Sequence, residues 1–286
     1  MVPLSTGRKY PMTTLKLLKR DIKLGIIERL LPYLIVLFTF FMVKDCSRAI
    51  ADIQIHYAMQ SPGTIMDYYV YCMSGMGFYQ FDPTEGFLIP YLWFISQLGI
   101  SYIIAYYAEK DFTENGVNVM VAGRNRSAWW FSKVIWCVMS VLIYFVATFT
   151  ACSVFAMFYG AKPSLGVTDE FLKIVYGYNI NYLPYKDLML IVFVVPITVT
   201  TGICLVQMLM SFIISPVTSF AITCAVYILS AYYTVWFLPG SYTMWVRSSY
   251  FDVRGLNPLS GLLIAAFMVV AVVVLGNSYF ERKDVI

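Results

Sequence analysis

Six long apolar runs occupy most of the chain, and they constrain its fold more than any other feature. Hydrophobic residues make up 60% of the 286 residues and charged residues only 13%, whereas about a quarter of a soluble domain is charged. A helix needs about 20 apolar residues to cross a bilayer, where it satisfies its own backbone hydrogen bonds. The pattern therefore predicts an all-α polytopic membrane protein with one domain, residues 1–286, and six transmembrane helices. Their approximate bounds are 27–43, 86–108, 128–159, 188–212, 217–238 and 259–276.

The stretch 13–29, at the start of the first run, has the pattern of an amphipathic helix. Its apolar residues recur at intervals of three and four, at Leu15, Leu18, Ile22 and Ile26. A basic band lies beside them, formed by Lys16, Lys19, Arg20 and Lys23. This pattern predicts a helix in the cytoplasmic membrane interface, with apolar side chains toward the bilayer and cations among anionic headgroups. The alternative is the ordinary basic flank of a transmembrane helix.

Six crossings place both termini on the same side, and the distribution of cations indicates which side. With the termini inside, thirteen of the twenty Lys and Arg residues lie in cytosolic segments and seven in outer loops. Because cytosolic segments are enriched in Lys and Arg, this bias predicts a multi-pass plasma-membrane protein with cytosolic termini. The segment 109–127 is then cytosolic. The outer loops are 44–85, 160–186 and 239–258.

The six cysteines do not form a disulfide framework. Four of them lie in apolar runs, where a thiol behaves as a small hydrophobe: Cys137, Cys152, Cys204 and Cys224. Cys46 and Cys72 share the first outer loop. We expect both to be free thiols, with a disulfide between them as the alternative.

The residues needed by several classes of function are missing. Apart from Glu28 at the edge of the first run, the apolar runs contain no Asp or Glu, although ion-coupled transporters need ionisable groups near the bilayer midplane. The only histidine is His56, and neither a G-x-S-x-G elbow nor a G-x-x-x-x-G-K-[ST] loop is present. We therefore predict no catalytic residue, metal site or cofactor in this chain, and no nucleic-acid partner.

The segment from Glu109 to Lys133 is polar and charged in its first part, and it carries a helical pattern of its own. Asp111 or Thr113 is suited to cap the start of a short helix, and Gly123 to end it. The apolar residues between them are Val117, Val119, Met120 and Val121. The pattern predicts one or two helical turns at the cytosolic surface. The alternative is a plain loop stabilised by Arg and Lys side chains.

This segment resembles the cytosolic loop of the permease subunits of type-2 ABC exporters. In that family a glutamate and a turn precede a short hydrophobic helix, and an Arg, an aromatic residue and a Lys follow it. The matching positions are Glu109, Glu114, Gly116, Met120, Arg126, Trp129, Trp130 and Lys133. The proline that usually precedes the Arg is absent. The rest of the chain is similar in order, with a basic amphipathic helix, six spans, an aromatic segment at 239–258 and YFERKD at 279–284.

The resemblance implies a permease subunit that is not itself an enzyme. Two copies would pair as a homodimer, and separate P-loop ATPase subunits, which carry ATP and Mg, would dock at the cytosolic face. Residues 113–122 would form a coupling helix seated in the ATPase. The residues implied in coupling are Glu109, Glu114, Gly116, Val117, Val119, Met120, Arg126 and Lys133.

The substrate is constrained mainly by the uncharged runs, which favour a hydrophobic or amphipathic molecule. The short loops resemble those of bacterial permeases that export antimicrobial or toxin-like peptides, and a lipid-linked glycan or a small hydrophobic drug is the alternative. Gln97 and Gln207 are candidate polar contacts along the pathway, although hydrogen bonding between helices also explains them. A non-transporting membrane sensor, immunity or binding protein is the competing function.

Overall fold

The computed structural model describes residues 14–29, 31–57, 61–80, 86–113, 126–177 and 184–282 of the chain. The helices among them are α1 (Thr14–Gly25), α2 (Thr39–Tyr57), α3 (Ile65–Cys72), α4 (Tyr91–Asp111), α5 (Arg126–Phe158), α6 (Asp169–Tyr176), α7 (Tyr185–Ile213), α8 (Pro216–Tyr232) and α9 (Pro258–Arg282). Short 3₁₀ segments lie at Ile27–Arg29, Leu31–Phe38, Pro239–Thr243 and Trp245–Arg247. Only isolated bridges represent β-structure in this part of the chain. The all-α prediction is confirmed for the described residues.

Three of the described helices are long and apolar enough to cross a membrane. They are Arg126–Phe158, Tyr185–Ile213 and Pro258–Arg282. These helices coincide with the predicted spans at 128–159, 188–212 and 259–276, and they indicate a membrane protein. The last one continues beyond the predicted end at Gly276. At Gly276 the missing side chain leaves room for the indole of Trp130.

The other three predicted spans differ from the helices found. The run at 86–108 corresponds to α4, which begins only after Pro90, and its serine, glutamine and tyrosine side chains lower its hydropathy. The run at 217–238 corresponds to α8, which has 17 residues and ends at Tyr232. The run at 27–43 is a 3₁₀ stretch followed by the start of α2. Six membrane crossings therefore stay a prediction.

The first part of the predicted outer loop at 44–85 is helical, because α2 continues to Tyr57. Cys46, Ile50 and Ile53 are buried at helical spacing, while polar residues such as Arg48 occupy the exposed face. A helix with one buried face needs only this periodic pattern and not a continuous apolar run. The charges in this stretch made the sequence-based prediction end the helix too early.

The helices run between two ends of the bundle, which we call the Asp21 end and the Arg247 end. At the Asp21 end, α1 packs against α5, and the last turn of α4 lies beside the first turns of α5. The last turns of α7 and α9 join them through an aromatic cluster, formed by Phe112, Trp129, Trp130, Phe212 and Phe280. The first described helix, α1, and the C-terminal end of the last one, α9, therefore lie at the same end of the bundle.

At the Arg247 end, α3 is joined to the chain that follows α5. Lys162 donates its backbone N–H to the carbonyl of Gly63 at 2.9 Å. The buried carboxylate of Asp67 accepts the backbone N–H and the hydroxyl of Thr168, both at 2.7 Å, and the backbone N–H of Thr64 at 2.8 Å. Burial raises the pKa of Asp67, and these hydrogen bonds only partly oppose the rise. Asp67 thus connects two segments that are about 100 residues apart.

The cysteines are free thiols, as expected. Cys46 and Cys72 are both buried and are not bonded to each other. The thiol nearest to Cys72 is that of Cys152 in α5, with 3.8 Å between the two Sγ atoms. The burial of Cys46 comes from its place on the inner face of α2, which the sequence-based prediction had treated as a loop.

Candidate functional site

Four charged side chains meet at the Asp21 end and form a closed ring of ion pairs. Nζ of Lys133, in α5, lies 2.8 Å from Oδ1 of Asp21 in α1 and 2.6 Å from Oδ2 of Asp111, the last residue of α4. Nη2 of Arg20 lies 3.0 Å from the same Oδ1 and 2.8 Å from the same Oδ2. We call these four residues the ionic cluster.

The ionic cluster is buried. The side chains of Asp21 and Lys133 are 0% exposed, that of Asp111 is 3% exposed and that of Arg20 is 23% exposed. Buried charges are costly unless they are paired and hydrogen-bonded. Here two cations face two carboxylates, and the hydroxyl of Ser132 also donates to Oδ2 of Asp21 at 2.8 Å. The charges of the ionic cluster sum to zero, which makes its burial tolerable.

Two aromatic rings lie against the ammonium group of Lys133. Its Nζ is 5.0 Å from the ring centroid of Tyr107 and 5.4 Å from that of Trp129, within the range of cation–π attraction. The Tyr107 hydroxyl lies 3.4 Å from Oδ1 of Asp21. These rings exclude water from the ionic cluster, and the low local dielectric strengthens its charge–charge attractions.

The ionic cluster joins the two ends of the predicted coupling segment. Asp111 comes just before residues 114–125, and Lys133 lies two turns into the helix that follows them. Both are tied through ion pairs to Arg20 and Asp21 of α1. Each carboxylate already has a cation within 3 Å, so the arrangement is suited to holding three helices together rather than to proton transfer.

The predicted coupling residues fall into different settings. Five of them lie outside the described residues: Glu114, Gly116, Val117, Val119 and Met120. Glu109 is partly exposed in the last turn of α4. Arg126 donates to the backbone carbonyl of Glu281 at 3.2 Å, where the C-terminal end of α9 favours a cation. The structure therefore gives Arg126 a contact within the chain.

Lys133, which the resemblance implies in coupling, does not reach the surface of the described part of the chain. Its side chain is fully buried between Asp21 and Asp111. The resemblance placed this lysine at the start of the third span but did not reveal its partners. Its role lies inside the bundle, where it connects the helices beside the coupling segment.

The predicted basic band of α1 is divided between two faces. Lys16, Lys19 and Lys23 are exposed, whereas Arg20 turns inward to the ionic cluster. Burial alone would lower the pKa of Arg20, but the carboxylates of Asp111 and Asp21 outweigh it and raise the pKa. The buried stripe of α1 is Leu17, Asp21 and Gly25. Of the apolar residues predicted to face the bilayer, Leu15 is 74% exposed and Leu18 and Ile22 are partly exposed, whereas Ile26 is buried.

Gln97 and Gln207 make hydrogen bonds between helices. Both are 1% exposed. Oε1 of Gln97 in α4 accepts the hydroxyl of Thr200 in α7 at 3.0 Å, and Nε2 of Gln207 in α7 donates to the backbone carbonyl of Ser101 in α4 at 2.9 Å. Such bonds hold apolar helices together. The structure supports this alternative over a place along a transport pathway.

Replacing Gln97 with leucine is expected to lower the free energy of unfolding by about 1 kcal/mol, because the hydroxyls of Thr200 and Tyr227 lose their acceptor. The measurement is reversible unfolding in detergent. Thr198→Val is the control, since the Thr198 hydroxyl bonds only within α7, and we expect a small change. An unchanged stability for Gln97→Leu would contradict the structural role.

Asp21 and Asp111 supply the two carboxylates of the ionic cluster. The sequence patterns did not reveal that these acids pair with Arg20 and Lys133. Asp111 was considered only as a helix cap, and Asp21 lies in a stretch interpreted through its lysines. One signal was present, because Asp21 is the single acid between residues 13 and 27. It also lies four residues from both Leu17 and Gly25, on one face of a helix. An acid on the buried face of a basic helix requires a buried cation.

A second buried cation, Arg247, lies at the opposite end of the bundle and is 1% exposed. It donates to the carbonyls of Ser230 at 2.5 Å and Ala231 at 2.6 Å in the last turn of α8. It also donates to the carbonyls of Met76 at 2.9 Å and Gly77 at 3.0 Å. Burial lowers the pKa of Arg247 to about 10, so the side chain is charged at neutral pH. Its planar guanidinium group caps the C-terminal end of α8 and holds the backbone of Met76 and Gly77, after α3, in place.

Comparison with known protein families, curated proteins and solved structures finds no match for this chain. Membership of the type-2 ABC exporter family therefore stays a prediction.

Proposed function

We propose that this chain is the membrane-spanning permease subunit of an ATP-driven exporter, and that residues 113–122 contact a separate P-loop ATPase. The ionic cluster is the observation that carries the proposal. It ties Asp111 and Lys133, on either side of residues 114–125, to α1. A buried ion pair is costly to break. A displacement of the segment between them would therefore act on α1, α4 and α5 as one unit.

The three long apolar helices support the membrane location. In the proposal the predicted span 27–43, α4 and α8 cross as well, which makes six crossings, and α1 lies in the membrane interface. Helix α1 and the C-terminal end of α9 lie at the same end of the bundle, as an even number of crossings requires. The exposed lysines Lys16, Lys19 and Lys23 of α1 favour the cytosol for that end. The chain would then be a plasma-membrane protein with both termini in the cytosol.

The proposed assembly contains two copies of this chain and its ATPase subunits. ATP and Mg belong to the ATPase, and this chain would bind no cofactor. The apolar spans support export of a hydrophobic or amphipathic substrate, and we propose a peptide. A lipid-linked glycan or a small hydrophobic drug is the alternative substrate.

Met120→Asp and Gly116→Pro are expected to separate the ATPase from the permease while the permease stays folded. A buried apolar contact at the centre of an interface is worth about 2 kcal/mol or more, so we expect the co-purified ATPase to fall by about tenfold or more. The measurement is affinity purification of the tagged protein from its native membrane, followed by mass spectrometry and an ATPase assay of the eluate.

Val253→Asp is the matched control, because Val253 is fully exposed at the Arg247 end and the substitution adds the same charge. It should leave the co-purified ATPase unchanged. If the wild-type protein carries no ATPase at all, the permease proposal fails and the competing sensor, immunity or binding function takes its place.

A further inference from the structure

The outward face of α1 carries an apolar groove. It lies beside the buried Leu17–Asp21–Gly25 stripe, and its apolar lining comes from Leu15, Leu18, Ile22 and Ile27. Leu15 is 74% exposed and Ile27 is 59% exposed, while the other two are partly buried. The groove has a volume of about 660 Å³. An exposed apolar surface of this kind on an amphipathic helix indicates an apolar partner.

The same groove is bordered by cations. Lys16, Lys19 and Lys23 line it through their aliphatic stems, and all three side chains are exposed. No acidic residue is among its described lining residues. Glu28 approaches Lys23 at 3.6 Å in an exposed pair, which is a weak interaction. An apolar floor with a basic rim is complementary to an amphiphile with an anionic head.

The ionic cluster gives this groove a fixed orientation. Asp21, in the buried stripe of α1, is bound to Lys133 of α5, so α1 cannot rotate about its axis without breaking a buried ion pair. An interfacial helix without such a contact is free to adjust to the lipids around it. Here the apolar floor and the basic rim of the groove keep a fixed orientation relative to the bundle, as a preformed binding site requires.

We propose that this groove binds an anionic diacyl phospholipid, with an acyl chain along the apolar floor and the phosphate among Lys16, Lys19 and Lys23. The lipid occupies a discrete site and is retained when zwitterionic lipids are exchanged. This inference needs a membrane location but no ATPase, so a failure of the permease proposal leaves it standing.

The test is native mass spectrometry of the full-length protein in detergent, titrated with phosphatidylglycerol or with phosphatidylcholine of the same chains. The groove variant replaces Lys16, Lys19 and Lys23 with glutamine. The control variant replaces Lys162, Lys173 and Lys186 with glutamine, since these are also exposed lysines and the loss of charge is the same. Because the groove variant removes all three cations that would hold the phosphate, we expect it to lose phosphatidylglycerol affinity by about tenfold or more.

A floor variant, Leu18→Gln with Ile22→Gln, should also lose phosphatidylglycerol, because the site needs the acyl chain as well as the phosphate. The control variant should keep wild-type affinity, and all variants should retain the wild-type unfolding temperature to show that α1 stays in place. Equal binding of the two lipids by the wild-type protein would overturn the proposal in favour of a general interfacial contact. So would an equal loss of binding in the groove and control variants.

Discussion

Replacing Lys133 with methionine is expected to destabilise the protein by about 3–5 kcal/mol, the usual result of removing one partner from a buried ion pair. The substitution keeps the length of the side chain but leaves the carboxylates of Asp21 and Asp111 without their closest cation, at 2.8 Å and 2.6 Å. Arg20 stays in contact with both and cannot balance two negative charges. The measurement is the free energy of unfolding in detergent, at neutral pH.

A double variant separates this effect from a simple loss of packing. Asp21→Asn with Lys133→Met removes one charge of each sign and leaves Arg20 paired with Asp111 at 2.8 Å. We expect the double variant to be more stable than Lys133→Met alone, with a coupling free energy of about 1–3 kcal/mol. Additive losses would show that the ion pair between these residues does not contribute, and the ionic cluster would no longer support the proposed function.

Replacing Arg247 with methionine is expected to cost about 3–5 kcal/mol, since it removes a buried charged donor from the carbonyls of Ser230, Ala231, Met76 and Gly77. The carbonyls of Ser230 and Ala231 belong to the last turn of α8, where the helix offers them no partner of its own. Arg247→Lys should recover only part of the loss, because one ammonium group cannot reproduce the planar fork of a guanidinium.

Arg254→Gln is the control for this second experiment. Arg254 lies seven residues away, and its side chain is 63% exposed. It forms an ion pair with Asp252 at 3.1 Å, and its guanidinium lies 5.1 Å from the ring centroid of Phe78. We expect a change within about 0.5 kcal/mol, as for other exposed ion pairs. If Arg247→Met lowered the free energy of unfolding no more than Arg254→Gln does, the four backbone contacts of Arg247 would not contribute to stability. Stability should be measured by unfolding in the same detergent as for Lys133.

The sequence predicted best the helices that have a continuous apolar composition. The runs of α5, α7 and α9 are recognisable without any knowledge of their neighbours, since the bilayer requirement acts on each run separately. The prediction failed at α2, where burial is limited to one face and charged residues interrupt the run.

The candidate site was harder to predict, because it depends on contacts between distant parts of the chain. Arg20 and Asp111 are separated by 91 residues, and Asp21 and Lys133 by 112. A helical pattern shows which face of α1 is apolar, but it does not show which lysine of another helix lies opposite an acid. For the same reason the sequence could not decide whether Gln97 contacts a substrate along a pathway or bonds another helix. The structure shows the second, because the hydroxyl of Thr200 donates to Gln97.

The long separation between Asp21 and Lys133 has a consequence for how the protein is made. At about 5–20 residues per second, the ribosome adds Lys133 about 6 to 22 seconds after Asp21. During that interval the carboxylate has no buried partner, and it can remain only where water solvates it. The amphipathic composition of α1 lets it rest on the wet membrane surface for this time. Docking of α1 would then report that the first half of the chain has been correctly inserted.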